Sequence, residues 1–328
     1  MTTMQAIQIQ KPGDASILSL VAVPLPTPKP NEVLIKIAYA GVNYIDTYER
    51  SGLYPNPMPL ILGREGSGEI VEVGSEVKQG LFKVGDRVGF VHPRGYAEYI
   101  ALDSLAVTKI PDNISLEQAS ALLLQGLTAL SLVRKAYHVK RGDWVVVHAA
   151  AGGVGLLLCQ ICSLLGAHVI GTTSTAEKAV LAKANGAEHV VLYPTGYDNL
   201  VQKVNELTGN KGVHAVFDSV GKDSFDSSLK VARRLGTVVL YGGASGPVQA
   251  FNPMRLAEKN ICLLRTAVTN YIATREEYDE LCEELFDMVA KNQLQLAIHK
   301  VYAIQDARQA HEDIQGCKTT GKLLLKVY

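Results

Sequence analysis

Between an apolar run, DWVVVH (143–148), and a longer one, LLLCQICSLLGA (156–167), the chain reads HAAAGGVG over residues 148–155. Set on the G-x-G-x-x-G spacing, Ala150 takes the first place, Gly152 the second and Gly155 the third, with Gly153 and Val154 between the last two. A strand, a Gly-rich turn and a helix are the parts of a dinucleotide-binding unit. In such a unit Gly152 and Gly153 let backbone N–H groups approach a pyrophosphate, Gly155 lets the helix close on the strand, and the helix N-terminus adds partial positive charge. Leu157, Ile161, Leu164 and Leu165 are spaced to share one helical face, so the expected context is present. Ala150 implies a turn whose first position does not need the conformational freedom of glycine. The alternative is a Gly-rich turn that only packs a helix on a strand.

Which dinucleotide such a turn would take is set about 20 residues further on, where an acidic side chain holds the ribose 2′-hydroxyl of NAD. Here the chain reads GTTSTAEK (171–178), with Thr172, Thr173 and Ser174 where the acid would stand. A carboxylate repels a 2′-phosphate, whereas hydroxyls and Lys178 can bind one through charge-assisted hydrogen bonds. NADPH is favoured over NADH. A solvated helix position is the alternative for Lys178, and Glu177 beside it counts against the reading.

These residues need a sheet to hold them. Runs at 143–148, 167–173, 188–193, 212–220, 236–243 and 260–268 read as strands, with helical segments between most of them. Several are continuously apolar, as in a parallel sheet covered on both faces, so the fold class is α/β with a doubly wound sheet. Before residue 110, short apolar runs such as VLIKIAYAGV and GEIVEVG, separated by Gly, Pro and Asp, read as an antiparallel β-rich domain. The Pro-rich PLPTPKPNE (24–32) reads as a rigid connector. Ser115 and Gln118 are spaced as a capping box ahead of a long apolar helix that joins the two textures. A helix in TREEYDELCEELFDMVAKNQL, a shorter one in DARQAHEDIQ and a last strand, GKLLLKVY, are expected to return to the first domain. The boundaries read from this are 1–126, 127–267 for the nucleotide domain, and 268–328.

Composition narrows the partners. The chain has 328 residues, and its 32 Lys and Arg balance 32 Asp and Glu with no block of like charge. That excludes an electrostatic footprint for nucleic acid or an anionic membrane and leaves small-molecule ligands. Five cysteines, odd in number and scattered, argue for free thiols in a reducing compartment, so a cytoplasmic location is expected. The N-terminal MTTMQAIQIQK lacks the features of a signal peptide, and no uninterrupted apolar stretch of about 20 residues is present.

Taken together, AAAGGVG, GVNYIDTYERSGLYP, PLILGREGSGEIVEVG, VFDSVG and TTGKLLL resemble the zinc-independent quinone oxidoreductases, the zeta-crystallin-like branch of the medium-chain dehydrogenase/reductases. The resemblance runs the whole length. It implies a Rossmann domain inserted in a GroES-like catalytic domain, NADPH as cofactor, a quinone as substrate and a homodimer. It also implies that Asn43, Tyr48 and Tyr54 line the catalytic cleft, with Asn43 positioning cofactor or substrate and Tyr48 donating to the acceptor oxygen; packing is the alternative for the tyrosines. Thr128, Tyr193, Ser219, Tyr241, Gly242, Arg265 and Lys322 are the further cofactor contacts carried over by matching segments. Where zinc-dependent relatives carry Cys and His, this chain has Asn43 and Arg64, and Arg64 cannot be a ligand because it stays protonated. No metal is expected. Cys159 and Cys162 read as core packing, and His92, His148, His168 and His214 as structural histidines. Reduction of enones or alkenals, and a cofactor-bearing crystallin-like or RNA-binding protein, are the other functions this resemblance admits.

Overall fold

In the computed structural model, which describes residues 2–193 and 196–328, the chain forms two compact units. One joins Met1–Leu124 to Leu296–Tyr328, and the other is Gln125–Gln295.

The first unit is built on two sheets. The smaller pairs β1 (Thr3–Ile9) antiparallel with β2 (Ser19–Pro24) and β4 (Leu60–Ile61). The larger is centred on β3 (Glu32–Val42), with β5 (Gly66–Val73), β6 (Arg87–Phe90) and β8 (Val107–Lys109) in order on one edge and β7 (Tyr99–Asp103) on the first half of the opposite edge. On the other side of β3 stand β15 (Ile298–Ala303) and β16 (Lys322–Lys326). The pairing is antiparallel except between β15 and β16, which run parallel. Alternation along β3 sends Val33, Ile35 and Ile37 into one core with Ile70, Phe90 and Leu102. A second core gathers Ile7, Val42, Leu62, Tyr96, Tyr302 and Leu325. Two helices matter for the site: α1 (Tyr44–Ser51), which follows β3 directly, and α9 (Ala307–Gln315), which precedes β16; the long α2 (Leu116–Ser131) leads out of the unit. Ser115 and Gln118 do form the capping box, with Gln118 N donating to Ser115 Oγ at 3.1 Å and Ser115 N to Gln118 Oε1 at 2.9 Å.

In the second unit six parallel strands stand in the order β11-β10-β9-β12-β13-β14. They are β9 (Trp144–Val147), β10 (His168–Thr173), β11 (His189–Leu192), β12 (Val213–Asp218), β13 (Ala232–Leu240) and β14 (Cys262–Arg265). Counted within the unit this is 3-2-1-4-5-6, the doubly wound arrangement whose ligands sit beyond the carboxyl ends of the strands. The connecting helices are α3 (Gly153–Leu164), α4 (Ala176–Ala184), α5 (Asp198–Thr208), α6 (Phe225–Val231) and the short α7 (Met254–Ala257). Val145, Val146 and Val147 are all buried, so the continuous apolar run does mark a strand covered on both faces.

Three details depart from the sequence expectation. Leu164, the last residue of α3, is 49% exposed rather than on its packed face, while Leu158, Cys159 and Cys162 are buried along with Leu157 and Ile161. Helix α8 (Arg275–Ala290) lies in the second unit, so the chain returns at Leu296 and not at 268. Ion pairs from Arg134 to Glu284 (2.7 Å) and from Lys135 to Glu280 (2.8 Å) tie α8 to the segment after α2. Finally, Leu116–Ala136 is long and apolar enough to cross a membrane by length and composition, but 67% of its apolar window is buried inside the protein, as in a core helix.

Candidate active site

Asn43 is the pivot of the first unit. It is the N-cap of α1, and its backbone N–H donates to Asp46 Oδ2 at 2.9 Å, which fixes the first turn. Its side chain, 5% exposed with the residue, is fully engaged. Nδ2 donates to Glu65 Oε1 at 2.8 Å and to Gly41 O at 3.2 Å, while Oδ1 accepts from Lys322 Nζ at 2.7 Å. Lys322 Nζ also pairs with Glu65 Oε1, and Glu65 Oε2 accepts from Leu124 N at 2.8 Å. Glu65 is 0% and Lys322 1% exposed. Burying this pair costs several kcal/mol per ion unless attraction and hydrogen bonds return it, and here every oxygen of Glu65 is met. Gly41 is glycine for the same reason, since a Cβ there would run into the Glu65 carboxylate. Lys322, expected as a late contact to the cofactor, thus spends its ammonium on Glu65 and Asn43.

A second polar chain backs the first. Tyr96 OH donates to Asp46 Oδ2 at 2.7 Å and stands 3.3 Å from His311 Nε2; His311 Nδ1 is 3.1 Å from Arg50 Nη1. Burial pushes the Asp46 carboxyl up to about 7, against the pull of Tyr96 and Asn43. Its Oδ1 is buried without a hydrogen-bond partner. Burial, helped by Arg50, holds His311 down to about 3, so that imidazole is neutral.

Tyr48 and Tyr54 form an aromatic cluster with Tyr44. Ring centroids lie 5.5 Å apart for Tyr44 and Tyr48 and 5.2 Å for Tyr48 and Tyr54, both tilted. Tyr54 N donates to Tyr48 O at 3.1 Å, which holds the post-helix segment back on α1. Arg64, left open by the sequence, pairs with buried Glu49 of α1. Glu49 Oε1 also accepts from Asn56 Nδ2 at 3.3 Å, and Asn56 Nδ2 reaches Tyr54 O at 3.1 Å. Arg64 is therefore a tie between the β4–β5 loop, α1 and the Tyr54 segment.

In the second unit the Gly-rich turn has the expected parts with a different division of labour. The left-handed residue is Ala149, at φ 50°, one place before the pattern begins. Ala150 is not left-handed, and it is fully buried with its methyl facing Gly171 of β10, where an added Cβ would come within 2.8 Å. Gly155 serves close packing, because a Cβ there would meet Ala149 O and lie 2.9 Å from Ala150 Cα. The Cβ side of Gly153 faces the Gln125 amide, the end of a side chain that can move aside. Only Gly152 is open on its Cβ side, with Ala149 O at 3.2 Å as its one close neighbour there. Gly152 caps α3, Val154 lies in its first turn, and no side chain caps the helix start. That leaves a helix N-terminus and an open glycine to which an anionic ligand fits.

Around this turn, Thr173 is buried and donates to Thr175 O at 3.2 Å, so its hydroxyl is turned inward. Ser174 and Lys178 are half-buried, Thr175 and Glu177 between them are exposed, and Thr175 Oγ1 accepts from Lys178 N at 3.3 Å to cap α4. Tyr193 follows β11, donates its N–H to Thr173 O at 3.2 Å, and stacks on Tyr197 with centroids 4.8 Å apart. Ser219 and Gly242 abut at the ends of β12 and β13, where a Cβ on Gly242 would sit 2.6 Å from Ser219 O. Tyr241 begins that β13 connection and hydrogen-bonds the Ser219 hydroxyl; burial raises its phenol. Arg265 ends β14 with Nη1 on Thr266 O (2.8 Å) and Leu240 O (3.3 Å). Thr128 lies half-buried on α2, its C=O accepting from Ser131 Oγ at 2.9 Å. Cys159 and Cys162 are buried, and burial pushes the Cys159 thiol up to about 12, as fits core residues.

The geometry has close counterparts. Residues 29–112 match the alcohol dehydrogenase GroES-like domain, and residues 153–287 match the domain family described as zinc-binding dehydrogenase. A protein of Schizosaccharomyces pombe named probable quinone oxidoreductase is 44% identical over 97% of this chain and 96% of its own. A mycobacterial protein solved with NADPH superposes with a TM-score of 0.96 at 42% identity, covering 99% of this chain and 100% of that one. The Escherichia coli quinone oxidoreductase complexed with NADPH gives 0.95 at 38% identity, with 98% and 100% covered. The metal that the second domain family's description implies does not fit here. Among the described residues no group of three or more His, Cys, Asp or Glu could hold an ion, and Arg64 is committed to Glu49. The chain belongs to the quinone oxidoreductases of the medium-chain dehydrogenase/reductase superfamily.

Proposed function

We propose that this protein is an NADPH-dependent quinone reductase that works without a metal. The observation that carries the reading is the β9–α3 turn with its open Gly152, joined to a β10 end that offers Ser174 and Lys178 in place of a carboxylate. Relatives of similar sequence over nearly the whole chain bear the quinone oxidoreductase name, and two were solved with NADPH.

NADPH, when bound, supplies the hydride that reduces the quinone. The protein's part is to hold both reactants and stabilise the oxyanion that forms on the acceptor. Gly152 and the start of α3 would take the pyrophosphate, and Ser174 and Lys178 the 2′-phosphate. Tyr193, Ser219, Tyr241, Gly242, Arg265 and Thr128 would complete the cofactor's surroundings. Tyr48, with Tyr54 packed against it, would line the acceptor pocket and donate a hydrogen bond from its hydroxyl to the developing oxyanion. Asn43 acts through what it holds: clamped by Glu65 and Lys322, it fixes the start of the helix that carries Tyr48. Catalysis rests on placing two reactants in contact. The unpaired outer edge of β14, among the described residues, and exposed Met254 nearby in sequence support a homodimer. Cysteines that stand outside any disulfide, such as exposed Cys262, support a cytoplasmic setting.

Steady-state oxidation of NADPH and NADH against ortho-quinones, para-quinones and enones tests the reading. Turnover of quinones with NADPH preferred by about tenfold or more, the worth of one charge-assisted hydrogen bond, is expected. Equal efficiency with NADH would overturn the cofactor assignment. Turnover of enones without quinones would make the protein a double-bond reductase instead.

A further inference from the structure

His148 directly precedes the Gly-rich turn and is fully buried. Its Nδ1 lies 3.0 Å from Thr172 Oγ1 and its Nε2 3.1 Å from Ser228 Oγ. Ser228 in turn donates to Asp218 Oδ2 at 2.7 Å. The same carboxylate accepts from Ser224 Oγ (2.8 Å), Val220 N (2.8 Å) and Gly221 N (3.1 Å). A hydroxyl has one proton to give. Ser228 gives its proton to Asp218, so it accepts from His148, and Nε2 must carry the ring proton. Nδ1 is then an acceptor, and the Thr172 hydroxyl donates to it. Donation runs one way, from Thr172 through His148 and Ser228 to Asp218, with each bond polarising the next.

Each station of this chain anchors a different connection at the carboxyl ends of the strands. Thr172 O accepts from Ala150 N at 2.9 Å, inside the Gly-rich turn, and His148 N donates to Phe217 O at 3.0 Å. The Asp218 side chain fixes Val220 and Gly221, while its backbone O accepts from Tyr241 N at 2.9 Å. The turns after β9, β12 and β13 and the end of β10 are thereby bonded to members of this one chain.

We propose that His148, as the neutral Nε2–H tautomer, is a positioning residue that sets the spacing of these turns for the dinucleotide. The proposal rests on the NADPH reading above. Burial pulls the imidazole below its ordinary range, opposed by Asp218, the carboxylate facing it. The other titratable neighbour is Tyr197, whose ring stands edge-on at 5.2 Å. A protonated ring would need Thr172 to accept where it now donates.

The test pairs binding with spectroscopy. NADPH affinity is measured by titration calorimetry for the unaltered protein, His148→Ala, His148→Gln and Thr172→Val, alongside kcat and KM with a quinone. His148→Ala, which removes both side-chain hydrogen bonds of the ring, is expected to raise the NADPH Kd about tenfold, with kcat reduced less than about twofold. His148→Gln, which retains a donor toward Ser228, should recover most of the affinity, and the near-isosteric Thr172→Val should weaken NADPH in the same direction. Nitrogen-15 spectra of labelled histidine in the unaltered protein should show one neutral ring protonated at Nε2 from pH 6 to 8. A proton on Nδ1, titration within that range, or unchanged affinity in both His148→Ala and Thr172→Val would overturn the proposal. Failure of the unaltered protein to bind NADPH would overturn the cofactor reading, and is a separate result.

Discussion

Replacing Lys322 by Met isolates the worth of the buried ion pair. Glu65 and Lys322 are 0% and 1% exposed, so the substitution leaves a carboxylate in the interior with water unable to reach it. Breaking a buried pair by removing one partner costs about 3–5 kcal/mol. Glu65 would keep Asn43 Nδ2 and Leu124 N, both at 2.8 Å, which places the loss near the lower end. At about 2–4 °C per kcal/mol for a unit of this size, the first unit should melt about 6–12 °C lower. Glu65→Gln added to Lys322→Met removes the stranded charge and should return at least half of the loss. Thermal unfolding by circular dichroism gives the shift, and amide exchange along β3 and β16 assigns it to the first unit. Because the ammonium is spent on Glu65 and Asn43, NADPH affinity in the folded Lys322→Met protein should change less than kcat does. The argument is refuted if Lys322→Met lies within about 1 kcal/mol of the parent, well under the cost of a broken buried pair, or if the double variant is weaker than the single one.

Three further outcomes follow from the same geometry. Lys178→Ala should raise KM for NADPH about tenfold, one charge-assisted hydrogen bond, and move KM for NADH less than about twofold; an equal effect on both would make Lys178 a solvated helix residue. Tyr48→Phe keeps the ring cluster and removes the hydroxyl, so kcat should fall by about 10²-fold, as for loss of a hydrogen-bond donor to the oxyanion, with little change in KM; an unchanged kcat would reduce Tyr48 to packing. For Asp46, folding raises the carboxyl from 3.8 to about 7, so the native state binds the extra proton between those values. Its contribution to stability is full below the unfolded value and falls as pH rises toward 7. Asp46→Asn, whose amide oxygen can still accept from Asn43 N and Tyr96 OH, should flatten that slope and help most at pH 8. Urea midpoints at pH 5.5 and 8 measure it, and an equal loss at both would contradict the assignment.

The second unit was the more legible half, because its signals are local. Apolar runs located all six strands, and the strand-turn-helix spacing located the turn. What the pattern could not resolve was which residue does what inside it. The left-handed position is Ala149 and not a residue of the aligned pattern, and the Cβ side of Gly153 is occupied by the Gln125 amide. The periodicity of α3 misled at Leu164, which is the last residue of the helix and exposed. The domain boundary at 268 failed to anticipate α8, whose pairing with Arg134 and Lys135, far back in the chain, no local pattern marks. In the first unit the residue types at 43, 48 and 54 could be nominated through resemblance, but their partners could not. Asn43 and Lys322 are 279 positions apart, Arg50 and His311 261, and nothing in one sequence marks such pairs.

Those distant pairs bear on how the reaction is run. Many of the polar side chains that a motif reading assigns to ligands are already held by the protein: Asn43 by Glu65 and Lys322, Thr173 by Thr175, Arg265 by Leu240 and Thr266. An enzyme that relied on an acid–base pair or a nucleophile would need such groups presented to substrate. Hydride transfer between two bound molecules needs instead that the reacting atoms be kept about 3–3.5 Å apart and aligned. For that, side chains locked to one another are more useful than side chains held ready. The buried pair at Glu65 and Lys322 and the one-way chain through His148 are costly to bury and are engaged with other groups of the protein. Both are intelligible as the means by which α1 and the Gly-rich turn are each held in one place. Conservative loss of a network member should then disturb alignment, seen as altered kcat or cofactor affinity, without changing the pH dependence of the chemical step.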